Sequence, residues 1–295
     1  MNIADAVNGK TKVFGIIGNP VEHSFSPVLQ NTVARAMGEN VVYVPFKVES
    51  GEVKTAIEGA FKLGICGFNV TVPHKKEVME SLVAIDDLAL KIGAVNTLKY
   101  TKNGYKGYNT DILGLGKCFD IEGITIEGKT VVILGAGGAA NSAAVLAAER
   151  MAGNIIIVNR TKANAEALKA QTARYYKGNI SVISFDELMS IEKPEIVIQT
   201  TSVGMGEGTW KSPVENTAFF EKVQAVVDIV YTPWQTKLLS DAKENGCVAI
   251  NGFDMLIYQG IASYEIWHDI KIDDEMSKAL RNQLANYYID NRTKR

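Results

Sequence analysis

The chain has 295 residues, more than a single hydrophobic core usually holds, so its length predicts two domains. An apolar content of 46% is ordinary for a globular protein. The formal net charge of -2 excludes the strongly basic surface that binding to a nucleic-acid backbone requires. We therefore predict a small-molecule substrate and no nucleic-acid partner.

The sequence shows no pattern for a membrane segment, a disulfide framework or a metal site. No apolar run approaches the roughly 20 residues that span a bilayer, and residues 1–12 lack the apolar stretch of a signal peptide. This predicts a cytoplasmic protein with no membrane partner. Cys66, Cys118 and Cys247 have no C-x-x-C spacing, and the 3 histidines have no metal-ligand spacing, so we predict no bound metal.

The first part of the chain alternates between apolar runs and amphipathic segments. Short apolar runs that end in turn residues are typical of buried strands, and apolar residues three and four apart are typical of helices. The predicted elements are a strand at 12–17, a helix at 27–37, a strand at 41–48, a helix at 52–63, a strand at 67–72 and a helix from Pro73 onward. This order predicts a parallel sheet, with strands 94–100 and 104–108 as a hairpin at one edge.

A second alternation begins at residue 129 and predicts a second parallel sheet. Its elements are a strand at 130–134, a helix at 138–150, a strand at 154–158, a helix at 162–173, and strands at 195–199, 225–230 and 248–250. After residue 252 the pattern becomes helical, with helices at 255–267 and 273–288. The predicted fold class is α/β, with two domains and mostly parallel sheets.

A glycine-rich loop follows the strand at 130–134. It consists of Gly135, Ala136, Gly137, Gly138, Ala139 and Ala140, which match G-x-G-x-x-A between a strand and a helix. The glycines permit close approach to a pyrophosphate, whose charge the N–H groups at the helix start would hold. The alternative is a glycine-rich turn without a ligand, but the flanking strands and helix favour a dinucleotide cofactor.

The strand at 154–158 ends at Asn159, Arg160 and Thr161. An acidic residue at this place would hydrogen-bond the ribose of NAD, whereas an arginine favours the 2'-phosphate of NADP through charge-assisted hydrogen bonds. The sequence therefore predicts NADP. In the alternative interpretation, Arg160 only solvates the start of the next helix.

Lys75 and Asp111 lie in short polar segments upstream of the glycine-rich loop. Lys75 ends the segment N-V-T-V-P-H-K, and Asp111 ends N-T-D. Beside a bound nicotinamide, a lysine would supply a proton donor for a carbonyl oxygen, and an aspartate would orient a substrate hydroxyl. This combination predicts a dehydrogenase. The alternatives are an exposed lysine beside Lys76 and an N-cap aspartate for a helix at Ile112.

Ordered motifs along nearly the whole chain resemble the shikimate dehydrogenase family. Besides the glycine-rich loop and the Asn-Arg-Thr segment, they are H-S-F-S-P at 23–27, N-V-T-V-P-H-K at 69–75, G-A-V-N-T at 93–97, N-T-D at 109–111, T-S-V-G-M at 201–205, D-I-V-Y-T-P at 228–233 and G-F-D-M-L at 252–256, followed by Gln259. The resemblance implies a substrate-binding catalytic domain at 1–112, a Rossmann NADP-binding domain at 113–252, and C-terminal helices at 253–295 that return to the first domain.

The resemblance also implies which residues form the site, with Lys75 and Asp111 as the catalytic pair. Hydroxyl groups of Ser24 and Ser26 would bind the substrate carboxylate, unless one of them only caps the helix at Pro27. The implied substrate-binding set is Ser24, Ser26, Asn69, Thr71, Lys75, Asn96, Asp111, Tyr231 and Gln259. The implied cofactor-binding set is the loop 135–140 with Asn159, Arg160, Thr161, Lys162, Thr201, Ser202, Val203, Met205, Ile229, Gly252 and Met255.

The activity implied by the resemblance is the reversible, NADPH-dependent reduction of 3-dehydroshikimate to shikimate in the pathway to chorismate and the aromatic amino acids. Asn164 stands where the family commonly carries a further basic residue, which leaves strict selectivity for NADP open. The alternatives are a quinate/shikimate dehydrogenase that also uses NAD and a non-catalytic metabolite sensor of the same fold. A homodimer is a candidate assembly.

Overall fold

The structure, a computed structural model, describes residues 7–206 and 208–292. None of the helices in these ranges combines the length and the apolar composition that a bilayer span requires. Contacts divide the chain into two compact units, of which the first runs up to Thr110 and resumes at Ile257, and the second is Asp111–Leu256. The family resemblance implies boundaries after residues 112 and 252 instead. The second difference arises because the change of pattern at Gly252 marks the start of a helix, whose first turn still belongs to the second unit.

The first unit contains a mixed sheet. Its strands are β1 (Lys12–Gly18), β2 (Val41–Lys47), β3 (Gly67–Val70), β4 (Ala84–Ile85), β5 (Thr97–Thr101) and β6 (Gly104–Tyr108). Their order is β2-β1-β3-β5-β6-β4, with β1 parallel to β2 and β3. The predicted hairpin of β5 and β6 is formed, and β5 pairs antiparallel with β3. It does not end the sheet, because β4 pairs with β6 and is too short to leave an alternating pattern in the sequence.

The second unit contains a sheet in which every described pair of neighbouring strands is parallel. Its strands are β7 (Thr130–Leu134), β8 (Asn154–Val158), β9 (Asn179–Ile183), β10 (Ile196–Gln199), β11 (Ala225–Asp228) and β12 (Val248–Asn251). The order is β12-β11-β10-β7-β8-β9. Counted within this unit, that is the 3-2-1-4-5-6 order of dinucleotide-binding sheets, which bind ligands where the order reverses, here between β7 and β10. The predicted second parallel sheet is confirmed.

Helices connect and cover the strands of both sheets. They are α1 (Ser26–Ala36), α2 (Val53–Lys62), α3 (Asp87–Ile92), α4 (Asp111–Ile121), α5 (Gly138–Glu149), α6 (Lys162–Thr172), α7 (Lys237–Glu244), α8 (Gly252–His268) and α9 (Asp274–Arg292). The sequence does not predict α3 and α7 because six and eight residues are too few for a clear helical period. It names Ile112 only as a possible helix start, and α4 contains Gly114 and Gly116, which weaken its pattern.

The prediction of a helix from Pro73 onward is wrong. Turn residues follow the proline, and only a short 3-10 helix forms at Glu77–Ser81. The reason is that the carbonyl oxygen of Lys75 accepts a hydrogen bond from the N–H of Val95 at 2.8 Å, so it is engaged outside any helix. The N–H of Met79 bonds to Lys76 instead, three residues back. The segment that carries Lys75 is thus anchored to the start of the hairpin.

Asp228, the last residue of β11, is a fully buried carboxyl group. Burial raises its pKa from a usual value of 3.8 to about 6, although hydrogen bonds from the Thr236 hydroxyl (2.7 Å) and the Val230 N–H (3.0 Å) favour its ionised form. Asp228 holds its proton more tightly in the folded chain than in the unfolded chain. It therefore lowers the free energy of unfolding once the pH exceeds its pKa in the unfolded chain.

We therefore predict that the wild-type protein loses stability relative to Asp228→Asn as the pH rises from about 4 through about 6, by at most about 3 kcal/mol. Thermal unfolding of both proteins across this range measures the difference. Asp186→Asn, which changes an exposed carboxyl group of the same unit, serves as the control. If the melting temperatures of the wild type and of Asp228→Asn change with pH in the same way, the raised pKa of Asp228 is contradicted.

Candidate functional site

The segment after β3 holds Lys75 in a fixed backbone position. Thr71 donates its N–H to the Ile17 carbonyl at 2.9 Å, and the His74 N–H bonds back to Thr71 at 3.0 Å. The buried His74 ring contacts the Val48 carbonyl through Nε2 at 2.8 Å. Lys75 is half-buried whereas Lys76 is exposed, so Lys75 differs from an ordinary surface lysine.

Seven polar side chains of the first unit form a connected group that we call the polar cluster. Its members come from β2, β3, the start of β5, the segment before α4, and α8: they are Tyr43, Asn69, Asn96, Thr97, Thr110, Gln259 and Ser263. The resemblance assigns three members to the substrate: Asn69, Asn96 and Gln259, which are 5%, 3% and 9% exposed. Asn96 and Gln259 share a neighbour. Thr110 lies within hydrogen-bond distance of both, at 3.2 Å from Asn96 Oδ1 and 3.3 Å from Gln259 Oε1.

Asp111 follows Thr110 directly and is the first residue of α4. The helix thus starts at the aspartate itself, not at Ile112 with the aspartate as its cap. A carboxylate in the first turn is stabilised by the partial positive charge at a helix N-terminus. Lys75 belongs to the first unit and Asp111 begins the second, so each is positioned by its own unit.

Ser24 and Ser26 lie at the start of α1. The hydroxyl oxygen of Ser24 accepts the Ser26 N–H at 3.2 Å, while Ser26 is the first helical residue and Phe25 is the N-cap. The N-cap itself makes no side-chain capping bond, and it is Ser24, not Ser26, whose side chain accepts an N–H at the helix start. Burial strongly raises the pKa of the Tyr43 phenol, and the hydrogen-bonding effect of the buried Ser26 side chain opposes that rise.

Asn69, assigned to the substrate by the resemblance, is 5% exposed and bonded to other members of the polar cluster. Thr71, in contrast, is half-buried and follows the end of β3. Both lie on the same segment as Lys75. Their predicted contacts with the substrate remain predictions, and Asn69 is the one whose polar atoms are already used within the protein.

The glycine-rich loop follows β7 and leads into α5. Gly135 has a φ of 113°, and a Cβ there would come 2.5 Å from the Thr200 hydroxyl oxygen, so only glycine fits. A Cβ at Gly137 or Gly138 would meet nothing within 4 Å. The N-cap of α5 is Gly137, which has no side chain to bond the first N–H groups. This arrangement fits the pyrophosphate of a dinucleotide.

The segment after β8 presents basic side chains at the same edge of the sheet. Arg160 and Lys162 are exposed, and the Asn159 amide bonds the Thr161 carbonyl at 2.8 Å, which fixes the turn. Thr161 is the N-cap of α6 without a side-chain capping bond. Two exposed cations at the end of β8 fit the 2'-phosphate of NADP.

Two other predicted cofactor residues, Gly252 and Met255, lie in the first turn of α8. Gly252 is packed so closely that a Cβ there would lie 2.2 Å from the backbone oxygen of Ile229.

A pocket of about 300 Å³ lies in the second unit, where β10 and β11 end. The predicted residues Thr201, Ser202, Met205, Ile229 and Tyr231 line it, together with Thr200, Val230 and Thr232, which are not in the implied binding sets. Val203 is exposed and does not line it; its N–H bonds the Thr201 hydroxyl at 3.1 Å and its carbonyl accepts from Gln199 at 3.3 Å.

Sequence reasoning also missed most hydrogen-bonding members of the polar cluster. Thr97 and Thr110 stand inside the quoted motifs, so their neighbours could have drawn attention to them. Tyr43 and Ser263 had no local signal, because their roles depend on contacts with Asn69, which is 194 residues away from Ser263. Within the described ranges, no group of three or more His, Cys, Asp or Glu side chains is arranged to hold a metal.

Comparisons with known proteins agree with this arrangement. Residues 16–98 match the family model described as the shikimate dehydrogenase substrate binding domain, and residues 119–229 match the model described as shikimate / quinate 5-dehydrogenase. The shikimate dehydrogenase (NADP(+)) of Methanococcus aeolicus is 41% identical over 283 residues, covering 92% of this chain and 97% of the relative.

Two solved structures show the same fold. A crystal structure of a shikimate dehydrogenase in complex with NADP+ has a TM-score of 0.86 and 39% identity, covering 96% of this chain and 97% of the other. The shikimate 5-dehydrogenase of Listeria monocytogenes, solved with shikimate and NAD, has a TM-score of 0.88 and 29% identity, covering 94% and 98%. The two-domain α/β fold and the predicted family are therefore confirmed, and the chain belongs to the shikimate dehydrogenase family.

Proposed function

We propose that this chain reduces 3-dehydroshikimate to shikimate with NADPH, reversibly, in the pathway to chorismate and the aromatic amino acids. Family membership supports the reaction and the cofactor. The observation that carries the proposal is that hydrogen bonds of the first unit link the predicted substrate residues. The N–H of Val95 donates to the backbone carbonyl of Lys75 at 2.8 Å. The next residue, Asn96, accepts the N–H of Thr110 through its side-chain oxygen. Thr110 precedes Asp111, and its hydroxyl donates to the Gln259 side chain.

Lys75 and Asp111 carry the proton chemistry in this proposal. NADPH, when bound, supplies the hydride that the carbonyl carbon receives. The Lys75 side chain protonates the oxygen that becomes a hydroxyl, or stabilises its developing negative charge. The Asp111 carboxylate accepts a hydrogen bond from a substrate hydroxyl and so orients the ring. In the reverse direction Lys75 accepts the hydroxyl proton.

The substrate carboxylate is assigned to Ser24 and Ser26, with help from Thr71 and Tyr231. The Ser24 hydroxyl accepts the Ser26 N–H, which leaves its own proton to be donated to an anion. The hydrogen bond to Ser26 and the binding of an anion are thus compatible in one side chain. Hydroxyl donors hold a carboxylate without burying a second full charge.

NADP is the cofactor that the second unit fits. The open Gly137 and Gly138 and the uncapped start of α5 would hold the pyrophosphate, and Arg160 with Lys162 would hold the 2'-phosphate. Asn164, on the first turn of α6, supplies no further positive charge. The degree of preference for NADP over NAD therefore rests on Arg160 and Lys162.

One alternative has a specific observation in its favour. The family model matched at residues 119–229 covers shikimate and quinate dehydrogenases together, so a quinate/shikimate dehydrogenase with dual cofactor use is the second candidate. The same Lys75 and Asp111 would serve both substrates. The homodimer, the absence of nucleic-acid partners and the cytoplasmic location remain predictions from the sequence.

We predict that Lys75→Ala folds normally and binds NADP, but loses turnover by about 100- to 10,000-fold, with a smaller change in shikimate binding. A group that acts on the developing alkoxide stabilises mainly the transition state, so its loss lowers kcat. Steady-state oxidation of shikimate with NADP, followed by the absorbance of the reduced nicotinamide, measures the effect.

Lys76→Ala is the matched control for this prediction, because it removes the neighbouring exposed lysine. It should turn over like the wild type. Thermal melting must accompany both assays, since a collapsed fold would mimic the loss. A Lys75→Ala protein that melts and turns over like the wild type removes Lys75 from the chemistry.

We also predict that Arg160→Ala weakens NADP binding by about tenfold to more than a hundredfold and leaves NAD binding nearly unchanged. Only NADP loses a charge-assisted hydrogen bond, which is worth roughly 1.5 to 3 kcal/mol. Titration of each cofactor gives the two dissociation constants. Arg174→Ala, which removes an exposed arginine beyond the other end of α6, is the control. Equal losses for both cofactors would count against the assignment.

A further inference from the structure

Two consecutive side chains of α1 fasten this helix to two different neighbours. The Asn31 amide nitrogen donates to the Tyr43 carbonyl at 2.9 Å, and its oxygen accepts the Tyr43 N–H at 3.0 Å, which joins α1 to β2. The Gln30 amide nitrogen donates to the Gly260 carbonyl at 2.9 Å, which joins α1 to α8. Successive residues of a helix point about 100° apart, so the bond to β2 leaves the distance between α1 and α8 to Gln30.

The two helices approach each other closely at a glycine of α8. A Cβ at Gly260 would lie 2.7 Å from both terminal carbons of the Leu29 side chain, which is fully buried. Gln30, the next residue, is only 2% exposed. Because glycine has no side chain at this place, Leu29 and Gln30 pack directly on the backbone of α8.

This contact connects two helices that both carry residues of the proposed substrate-binding set. Ser26 precedes Gln30 by four residues on α1, so the two lie on the same face of the helix, one turn apart. Gln259 directly precedes Gly260 on α8. Any change in the spacing of α1 and α8 therefore changes the spacing between the serine that would hold the substrate carboxylate and the glutamine that would hold a ring hydroxyl.

The stability of the fold does not account for an amide at this position. Among the residues that the structure describes, none is a hydrogen-bond partner for the buried oxygen Oε1 of Gln30, and a buried acceptor without a partner lowers stability. The Gly260 carbonyl does not require the bond from Gln30 either. Inside a helix it accepts the N–H four residues further on, here that of Tyr264. An apolar side chain of similar length would fill the place without an unpaired oxygen.

We propose that Gln30 is a positioning residue, which sets the distance between the serine hydroxyls at the start of α1 and the Gln259 side chain on α8. The inference rests on the proposed function, because it takes both groups as neighbours of one bound shikimate. Shikimate carries its carboxylate on one side of the ring and hydroxyl groups on the other, so both contacts form together only at one spacing of the helices. A hydrogen bond restricts this spacing more sharply than apolar packing does, because its strength depends on distance and angle.

The proposal is tested first by Gln30→Met, which keeps the length of the side chain and removes the amide. Direct titration should show shikimate bound about two- to tenfold more weakly, with NADP binding unchanged, because the misplaced contact is worth about one hydrogen bond. The melting temperature should not fall, since the unpaired oxygen is removed together with the bond. Gln30→Leu repeats the test with a second apolar side chain. Gln283→Met, at an exposed position of α9, is the control and should bind shikimate like the wild type.

A double-mutant cycle separates positioning from a general effect on the fold. If Gln30 acts through the placement of Gln259, Gln30→Met should change shikimate affinity by less than about twofold when Gln259 is already alanine. The same fold-loss in both backgrounds would overturn the proposal. A lower melting temperature with wild-type shikimate affinity in Gln30→Met would also overturn it, because this result shows a merely structural role.

A ligand that makes only one of the two contacts gives an independent readout. An analogue of shikimate without the carboxylate does not use the serines, so the spacing of the helices does not limit its binding. Its affinity should differ by less than about twofold between the wild type and Gln30→Met. An equal fold-loss for shikimate and for the analogue would contradict the proposal. If the wild-type protein binds no shikimate at all, the proposed function fails instead, so the two failures are distinguishable.

Discussion

The Asn96 side-chain oxygen and the donors that surround it are the contact on which the arrangement of the first unit's candidate site depends. The N–H of Thr110 reaches this oxygen at 2.7 Å and the Thr97 hydroxyl at 2.9 Å, which joins the start of β5 to the segment before α4. Thr110 extends the connection to Gln259 on α8. Three distant parts of the sequence are thereby held in register. A buried amide with its partners satisfied is both stable and fixed in orientation.

The same constraint explains why a polar cluster can be buried at all. Each hydroxyl of Thr97, Thr110 and Ser263 can donate one proton and accept two, so the group can satisfy itself only if the donors run in a consistent direction. The Asn69 amide supplies that direction, because its oxygen faces Tyr43 and its nitrogen faces the hydroxyls. The hydroxyl groups of the polar cluster are thus satisfied within the protein.

In the second unit, the parallel sheet brings the candidate cofactor-binding segments together. The glycine-rich loop, the Asn159–Lys162 segment, Thr200 and Ile229 follow the carboxyl ends of β7, β8, β10 and β11. Parallel strands end at one edge, so segments from four places in the sequence reach the same side of the sheet. The close approach of Gly135 to Thr200 lies at the point where the strand order reverses.

Much of this architecture could be predicted because it rests on local patterns. The apolar run of β7 and the glycines after it specify a strand, a turn and a helix within a few residues. The two-residue β4 and the short α7 escaped prediction, since so few residues do not establish a period. The 3-10 turn after Pro73 depends on the hydrogen bond between Lys75 and Val95, which lies twenty residues after Lys75. Such contacts leave no signal in a single sequence.

The candidate site likewise contains residues that local patterns predict and residues that they do not. Lys75, Asp111 and Arg160 belong to motifs whose chemistry can be inferred from neighbouring residues. The hydrogen bonds of Asn69 cannot be inferred in this way, because its partners Tyr43 and Ser263 come from β2 and α8. A motif names a residue by its neighbours in the sequence, whereas the hydrogen-bond partners of that residue can come from any part of the chain.

The central claim is that this chain is a dehydrogenase for shikimate that uses NADP. The most direct measurement is the steady-state oxidation of shikimate and of quinate, each with NADP and with NAD, by the purified protein. The account predicts that shikimate with NADP gives the highest kcat/KM of the four combinations. Quinate with NAD as the best pair, or no oxidation in any combination, would contradict it.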